Sequence, residues 1–153
     1  MAQGNTEDAR VGGSEMKSHI VQAHYITEKF RPRRAGDHGI GLFATEALSY
    51  GHLLEVAPAS RFDGKSAPAA RKTPMWGHTF VDPAQYGEPD ADLLMVWGKM
   101  TLCNHSEDPN AAVIWMQHGE VLHAGLITIR EIKRGEEITI RYTNWEEYGI
   151  DAA

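Results

Sequence analysis

The run Asn104-His105-Ser106-Glu107-Asp108-Pro109-Asn110 constrains this chain more than any other stretch. Residues that bind backbone, turn the chain or titrate are packed there between Leu102-Cys103 and Ala111-Ala112-Val113-Ile114-Trp115-Met116, two runs that call for burial. Polar groups drawn toward a core need hydrogen-bond partners, because an unpaired buried polar group costs roughly 1–3 kcal/mol. Either the segment satisfies itself as a turn, with Asn104 and Asn110 bonding nearby backbone, or it faces a ligand.

With 153 residues the chain is the length of one domain and can bury most of its apolar surface without disulfides or metals. Hydrophobic residues at 42% and charged residues at 24% place it among ordinary globular proteins rather than disordered or membrane chains. A net charge of −6 argues against nucleic-acid phosphate as the main partner and suits a basic one, such as a lysine-rich peptide. The single cysteine, Cys103, excludes an internal disulfide framework and a multi-cysteine zinc site. No apolar run reaches the ~18 residues that span a bilayer, and Glu7, Asp8 and Arg10 precede any apolar stretch, unlike a signal peptide. A soluble, cytoplasmic protein in a reducing compartment is expected.

Residues 1–17 lack periodicity and contain Gly4, Gly12 and Gly13, which suggests a mobile leader before a single domain over residues 18–153. The β-branched and aromatic residues from His19 to Phe30 predict a first strand. Pro32 and Gly36 punctuate what reads as a basic loop from Arg31 to His38. Next, Gly39-Ile40-Gly41-Leu42-Phe43-Ala44-Thr45 places two glycines before a short apolar strand, and a turn at Leu48-Ser49-Tyr50-Gly51 leads to a second strand, His52-Leu53-Leu54-Glu55-Val56. The two strands read as a hairpin-like unit. A dinucleotide fingerprint would need a third glycine and a following helix, and this stretch has neither.

Prolines and glycines between Pro58 and Pro89 exclude long helices and predict loops, with Gly77-His78-Thr79-Phe80-Val81 as a short strand. Asp92-Leu93-Leu94-Met95-Val96-Trp97 carries no decisive period; its start is read as a helical turn capped by Asp90 or Asp92. Strands from Ala112 to Met116 and from Val121 to Ile129 flank a tight turn, and Arg130 to Gly135 forms a loop before Glu136-Glu137-Ile138-Thr139-Ile140-Arg141-Tyr142. The fold class is mostly β, with several small sheets and few short helices.

Three segments in order, Gly39-Ile40-Gly41-Leu42-Phe43, the run from Asn104 to Asn110, and Gly135-Glu136-Glu137-Ile138-Thr139-Ile140-Arg141-Tyr142, resemble the SET domain of protein-lysine methyltransferases. The family pattern is G-x-G-L-F, then N-H-S-x-x-P-N, then G-E-E-L-x-x-x-Y, here with Ile138 for leucine. The resemblance implies a β-clip-like fold in which the second and third segments cross as a pseudoknot. It implies S-adenosylmethionine as cofactor, with Gly39, Ile40 and Gly41 bringing backbone to its methionine part and with Asn104 and His105 contacting its ammonium and adenine. Tyr142 would be the catalytic tyrosine, lying beside the cofactor at the inner end of a lysine channel. The implied substrate is a lysine-containing protein or peptide, basic in character, with no direct nucleic-acid or membrane partner; the enzyme would be a monomer or homodimer.

Departures from the pattern are informative. Glu107 stands where many relatives place a zinc-binding cysteine, no cysteine follows Tyr142, and Arg141 replaces an acidic residue. Either the segment from Thr143 to Ile150 closes the channel without zinc, or a partner does; Trp145 and Tyr148 read equally as caps on the core or as residues that close the lysine channel and shield adenine. Glu136 and Glu137 read as a solvated pair entering a strand. The eight histidines show neither helical i, i+4 spacing nor a paired cysteine motif, so no metal site is expected.

Overall fold

The computed structural model describes residues 29–143. The expected leader, all but the end of the predicted first strand, and Trp145 and Tyr148 lie outside the described residues. Among the described residues the chain forms β1 (Phe30–Arg34), β2 (Ile40–Ala44), β3 (Leu53–Phe62), a one-turn helix α1 (Ala67–Ala70), β4 (Thr79–Val81), β5 (Leu93–Val96), β6 (Asn104–His105), β7 (Ala111–His118), β8 (Val121–Thr128) and β9 (Glu137–Ile140). Short 3-10 turns, including Gly36–His38, Pro74–His78 and Lys99–Leu102, join them.

Two sheets result. One has the order β1-β2-β9-β6 and the other β4-β5-β3-β8-β7. In the first, β9 lies between β2, which it pairs antiparallel (Leu42 opposite Ile138), and β6, which it pairs parallel (Asn104 opposite Thr139). The late strand is thus inserted between two earlier ones, the crossing that the motif pattern implied. Its inward residues Ile138 and Ile140 join Leu42, Leu48, Met100, Leu126 and Ile132 in one buried cluster. Burial of such side chains contributes about 1.5–3 kcal/mol each, so the three motif segments are held by a common core.

Four local readings are corrected. The supposed basic loop after Phe30 is strand β1, paired with β2 from Phe30–Ala44 to Arg34–Ile40. Pro32 is tolerated because β1 is an edge strand, where a missing N–H leaves no ladder bond unmade. The turn is confined to the residues around Gly36 and Gly39, both at positive φ (55° and 80°). The β2–β3 hairpin is absent, since the two strands belong to different sheets. Leu48, between them, exchanges two backbone hydrogen bonds with Ile132, and this redirects the chain.

The residues after Pro58 are not yet loop: β3 continues to Phe62. Pro58 offers its carbonyl to the Trp97 N–H but has no N–H to return, and the β3–β5 ladder begins one residue later, at Ala59 opposite Val96. Finally, Leu93–Val96 is a strand and not a helical turn, because β5 lies between β4 and β3 with all four residues buried. A strand covered on both faces shows no alternation in sequence. Asp92 caps no helix; its carboxylate accepts from the Gly64 N–H at 3.1 Å and pairs with Arg61 at 3.4 Å. Arg61 also pairs with buried Asp82, and these contacts tie the segment before β5 to β3.

Candidate active site

Tyr142 follows β9 and is fixed at both ends by the segment around β6. Its hydroxyl donates to the Cys103 carbonyl at 2.7 Å, and its backbone N–H donates to His105 Nδ1 at 3.0 Å. The two rings lie 5.4 Å apart and tilted. The accepting carbonyl sits at the end of the 3-10 turn Lys99–Leu102, whose leading N–H groups, those of Lys99 and Met100, donate to the Glu55 carboxylate at 2.9 and 2.8 Å. A carboxylate on β3 thereby fixes the carbonyl that holds the tyrosine hydroxyl.

Asn110 is 1% exposed and answers the question posed by its segment. Its Nδ2 donates to the Glu137 carbonyl at 2.7 Å and to Glu136 Oε1 at 3.2 Å, while its Oδ1 accepts from the Thr139 N–H at 2.9 Å. These partners lie on and beside β9, so Asn110 is a structural clamp and not a self-satisfied turn. Asn104 differs: its Nδ2 donates to Glu137 Oε1 at 2.6 Å, leaving Oδ1 for another donor. Gly41 lies beneath that pair. A Cβ there would collide with the Glu137 carboxylate and come within 2.9 Å of Asn104 Nδ2, so glycine is required by close approach.

Glu136 and Glu137 are therefore not a solvated pair. Besides Asn110, Glu136 accepts from Arg130 at 2.8 Å and from the Lys133 N–H at 2.9 Å. Burial pushes its carboxyl pKa up, but the Lys133 N–H, Arg130 and Asn110 outweigh burial and leave it below the usual carboxylate value. Two carboxylates at a strand entrance carry no sequence mark of the polar groups they will meet.

Two cavities converge on Tyr142. One, of about 380 Å³, is lined by His38, Ile40, Leu102 and Asn104. The other, of about 210 Å³, is lined by Phe80, Tyr86, Val113 and Trp115, with Arg141 and Thr143 at its wall. Both share Gly77, His78, Thr101, Cys103 and Tyr142. Phe80 and Trp115 meet edge to face at 5.7 Å, making the smaller cavity's wall aromatic. His78 Nδ1 donates to the Thr101 carbonyl at 3.0 Å within the shared partition. Burial raises the pKa of Tyr86 despite a hydrogen bond to Thr143 and with a small contribution from Asp82. Burial also pushes the Cys103 thiol far up, helped by Glu55 and Glu137, so Cys103 contributes its carbonyl and no thiolate.

Of the site residues expected from sequence, Ile40, Asn104 and Tyr142 face the larger cavity. Gly39 shapes the turn into β2, Gly41 underlies Asn104, and the His105 imidazole points at the Tyr142 backbone rather than into either space. Sequence reasoning missed Glu55, Phe80, Trp115 and the Cys103 carbonyl. A backbone carbonyl has no residue signature, and an aromatic in a strand reads equally well as core. Among the described residues no group of three His, Cys, Asp or Glu side chains is placed to hold a metal.

A small β-rich fold with an inserted last strand, and with two cavities meeting at its closing tyrosine, defines the class. The chain belongs to the SET-domain family, whose pattern matches residues 39–143. Among curated proteins it is 34% identical over 119 residues to a histone-lysine N-methyltransferase, H3 lysine-36 specific, of Yarrowia lipolytica; the match covers 74% of this chain and 15% of that protein. A protein of the same description from Mycosarcoma maydis is 46% identical over 55 residues, covering 36% of this chain and 6% of its own length. The chain thus spans a small part of these relatives. Among solved structures, a Plasmodium falciparum protein described as a candidate histone methyltransferase shares the fold with a TM-score of 0.60 at 21% identity, covering 78% of this chain and 96% of its own. The Neurospora SET-domain histone lysine methyltransferase aligns with a TM-score of 0.58 at 19% identity, covering 77% and 53%.

Proposed function

We propose that this chain transfers a methyl group from S-adenosylmethionine to the side-chain amine of a lysine in a protein. The observation that carries this reading is the pair of adjoining cavities that share lining residues, Tyr142 among them. A bisubstrate displacement needs its donor and acceptor to approach in line, and most of its acceleration comes from alignment.

The larger cavity fits the cofactor. Its volume lies within the range of small-molecule sites, Gly39 and Gly41 let the backbone turn and pack closely beside it, and Asn104 keeps a carbonyl oxygen for an ammonium group. Ile40, Asn104 and the neighbouring backbone of His105 would hold it there. When bound, it supplies an electrophilic methyl group on a positively charged sulfur.

The smaller cavity suits a lysine side chain. An amine with a pKa near 10.4 costs about 4–5 kcal/mol to deprotonate near pH 7. Phe80, Val113 and Trp115 favour the neutral form by excluding water from it. Tyr142 offers an oriented hydroxyl oxygen where the two spaces join, while its proton is committed to the Cys103 carbonyl. Fixed by that bond, the hydroxyl oxygen would orient the amine and meet a polarised methyl group.

The specificity by which the curated relatives are named nominates histone H3 lysine 36 as the first substrate to try. Purified protein is incubated with radiolabelled S-adenosylmethionine and a panel of basic proteins that includes histone H3. Methylated lysine, identified by mass spectrometry of the labelled product, is the expected result. No transfer to any member of the panel, together with no cofactor binding by calorimetry, overturns the proposal.

A further inference from the structure

We propose that Glu107 and Arg141 act as a charged clasp that positions Tyr142. For its consequence in rate the proposal rests on the methyl-transfer reading; for its geometry it does not. Glu107 Oε2 pairs with Arg141 Nη2 at 2.8 Å, and Glu107 Oε1 lies 3.1 Å from His105 Nε2. Because His105 Nδ1 accepts the Tyr142 N–H, the proton of the neutral ring is on Nε2, and it donates to Glu107. Arg141 and Tyr142 are adjacent in the chain. The loop of contacts therefore closes: His105 in β6 and Glu107 after it grip two consecutive residues after β9, one by its backbone N–H and one by its guanidinium.

The position of the clasp gives it a task. The β6–β9 ladder ends with His105 opposite Ile140 and the Ser106 N–H bonded to the Ile140 carbonyl. Residues 141 and 142 lie beyond the ladder, and the tyrosine hydroxyl must still meet the Cys103 carbonyl. The imidazole of His105 is 7% exposed, so its bonds are sheltered, whereas the Glu107 and Arg141 side chains are 39% and 57% exposed. An ion pair that exposed contributes little to folding, yet a small misplacement of a reacting group slows chemistry strongly. Its charge is also open to screening by salt. Glu107 and Arg141 are moreover two of the positions at which this chain departs from the pattern it resembles.

The test uses the whole chain and the variants Glu107→Gln, Arg141→Gln, the double variant and Arg141→Lys. The expected result is an about tenfold fall in kcat in each glutamine variant, with cofactor affinity and melting temperature nearly unchanged. The double variant is no slower than either single one, as for residues acting as a unit, and Arg141→Lys regains part of the rate. In the wild type, kcat at saturating substrate falls with added salt; in Glu107→Gln it does not. By NMR, amide exchange at Tyr142 speeds up in the glutamine variants. Unchanged kcat and unchanged exchange, or losses that multiply in the double variant, overturn the clasp. An inactive wild type counts against the methyl-transfer reading, and the Tyr142 exchange rates then decide the clasp by themselves.

Discussion

Tyr142 and Asn110 both tie β9 and the residues after it to the segment around β6, but the two should fail in different ways. Tyr142→Phe removes the hydroxyl that donates to the Cys103 carbonyl and leaves the ring and its backbone bond to His105. Turnover should fall by about 10²-fold or more, while S-adenosylmethionine affinity, measured by calorimetry, stays near the wild-type value. Asn110→Ala instead strips partners from the Thr139 N–H and the Glu137 carbonyl inside the molecule. Each orphaned buried group costs roughly 1–3 kcal/mol, so urea denaturation should show a loss of about 3 kcal/mol. A fully stable Asn110→Ala protein would contradict the clamp.

At the scale of elements, the 3-10 turn Lys99–Leu102 is a small lever between two sheets. Glu55 holds its leading N–H groups from β3, and its far end presents the carbonyl that orients Tyr142. Glu55→Gln keeps the shape but replaces one acceptor oxygen with a donor that faces an N–H. Kinetics should show kcat lowered several-fold, with the KM for S-adenosylmethionine changed less, because the turn supplies only part of the larger cavity's wall and Ile40 and Asn104 supply more of it. A KM effect alone would remove the turn from its assigned task. The loop before β9 is governed by Glu136, which gathers Arg130, the Lys133 N–H and Asn110.

For the whole molecule, that carboxylate links stability to pH. The folded-state pKa of Glu136 is lowered from its ordinary value of 4.5, and that of Asp92 from 3.8, chiefly by the Gly64 N–H. A group with a lowered folded pKa binds fewer protons when folded, so its contribution is fully present above the unfolded value and is lost as pH falls through the folded one. The protein should therefore lose stability below about pH 4.5. Thermal melts of Glu136→Gln should be lower than wild type near neutral pH and should show a shallower decline below pH 4.5. Parallel melting curves for the two proteins would exclude Glu136 as a source of the acid dependence.

Local chemistry carried much of this fold into view. Glycines before β2, the proline after β6, and the turn between β7 and β8 act on their immediate neighbours, so their signals survive in a linear chain. The same reasoning misjudged β1 and β5. Pro32 reads as a loop until β1 is known to be an edge, and Leu93–Val96 shows no alternation because both its faces are covered. By itself the sequence determined a mostly β chain and the three motif segments that mark its family. Only the tertiary structure decided which strands share a sheet, that Asn110 clamps while Asn104 faces a cavity, and that Cys103 serves through its carbonyl. The reason is that hydrogen bonds between residues 26 to 45 positions apart depend on where the backbone returns, and a pattern of side chains along the chain records no such return.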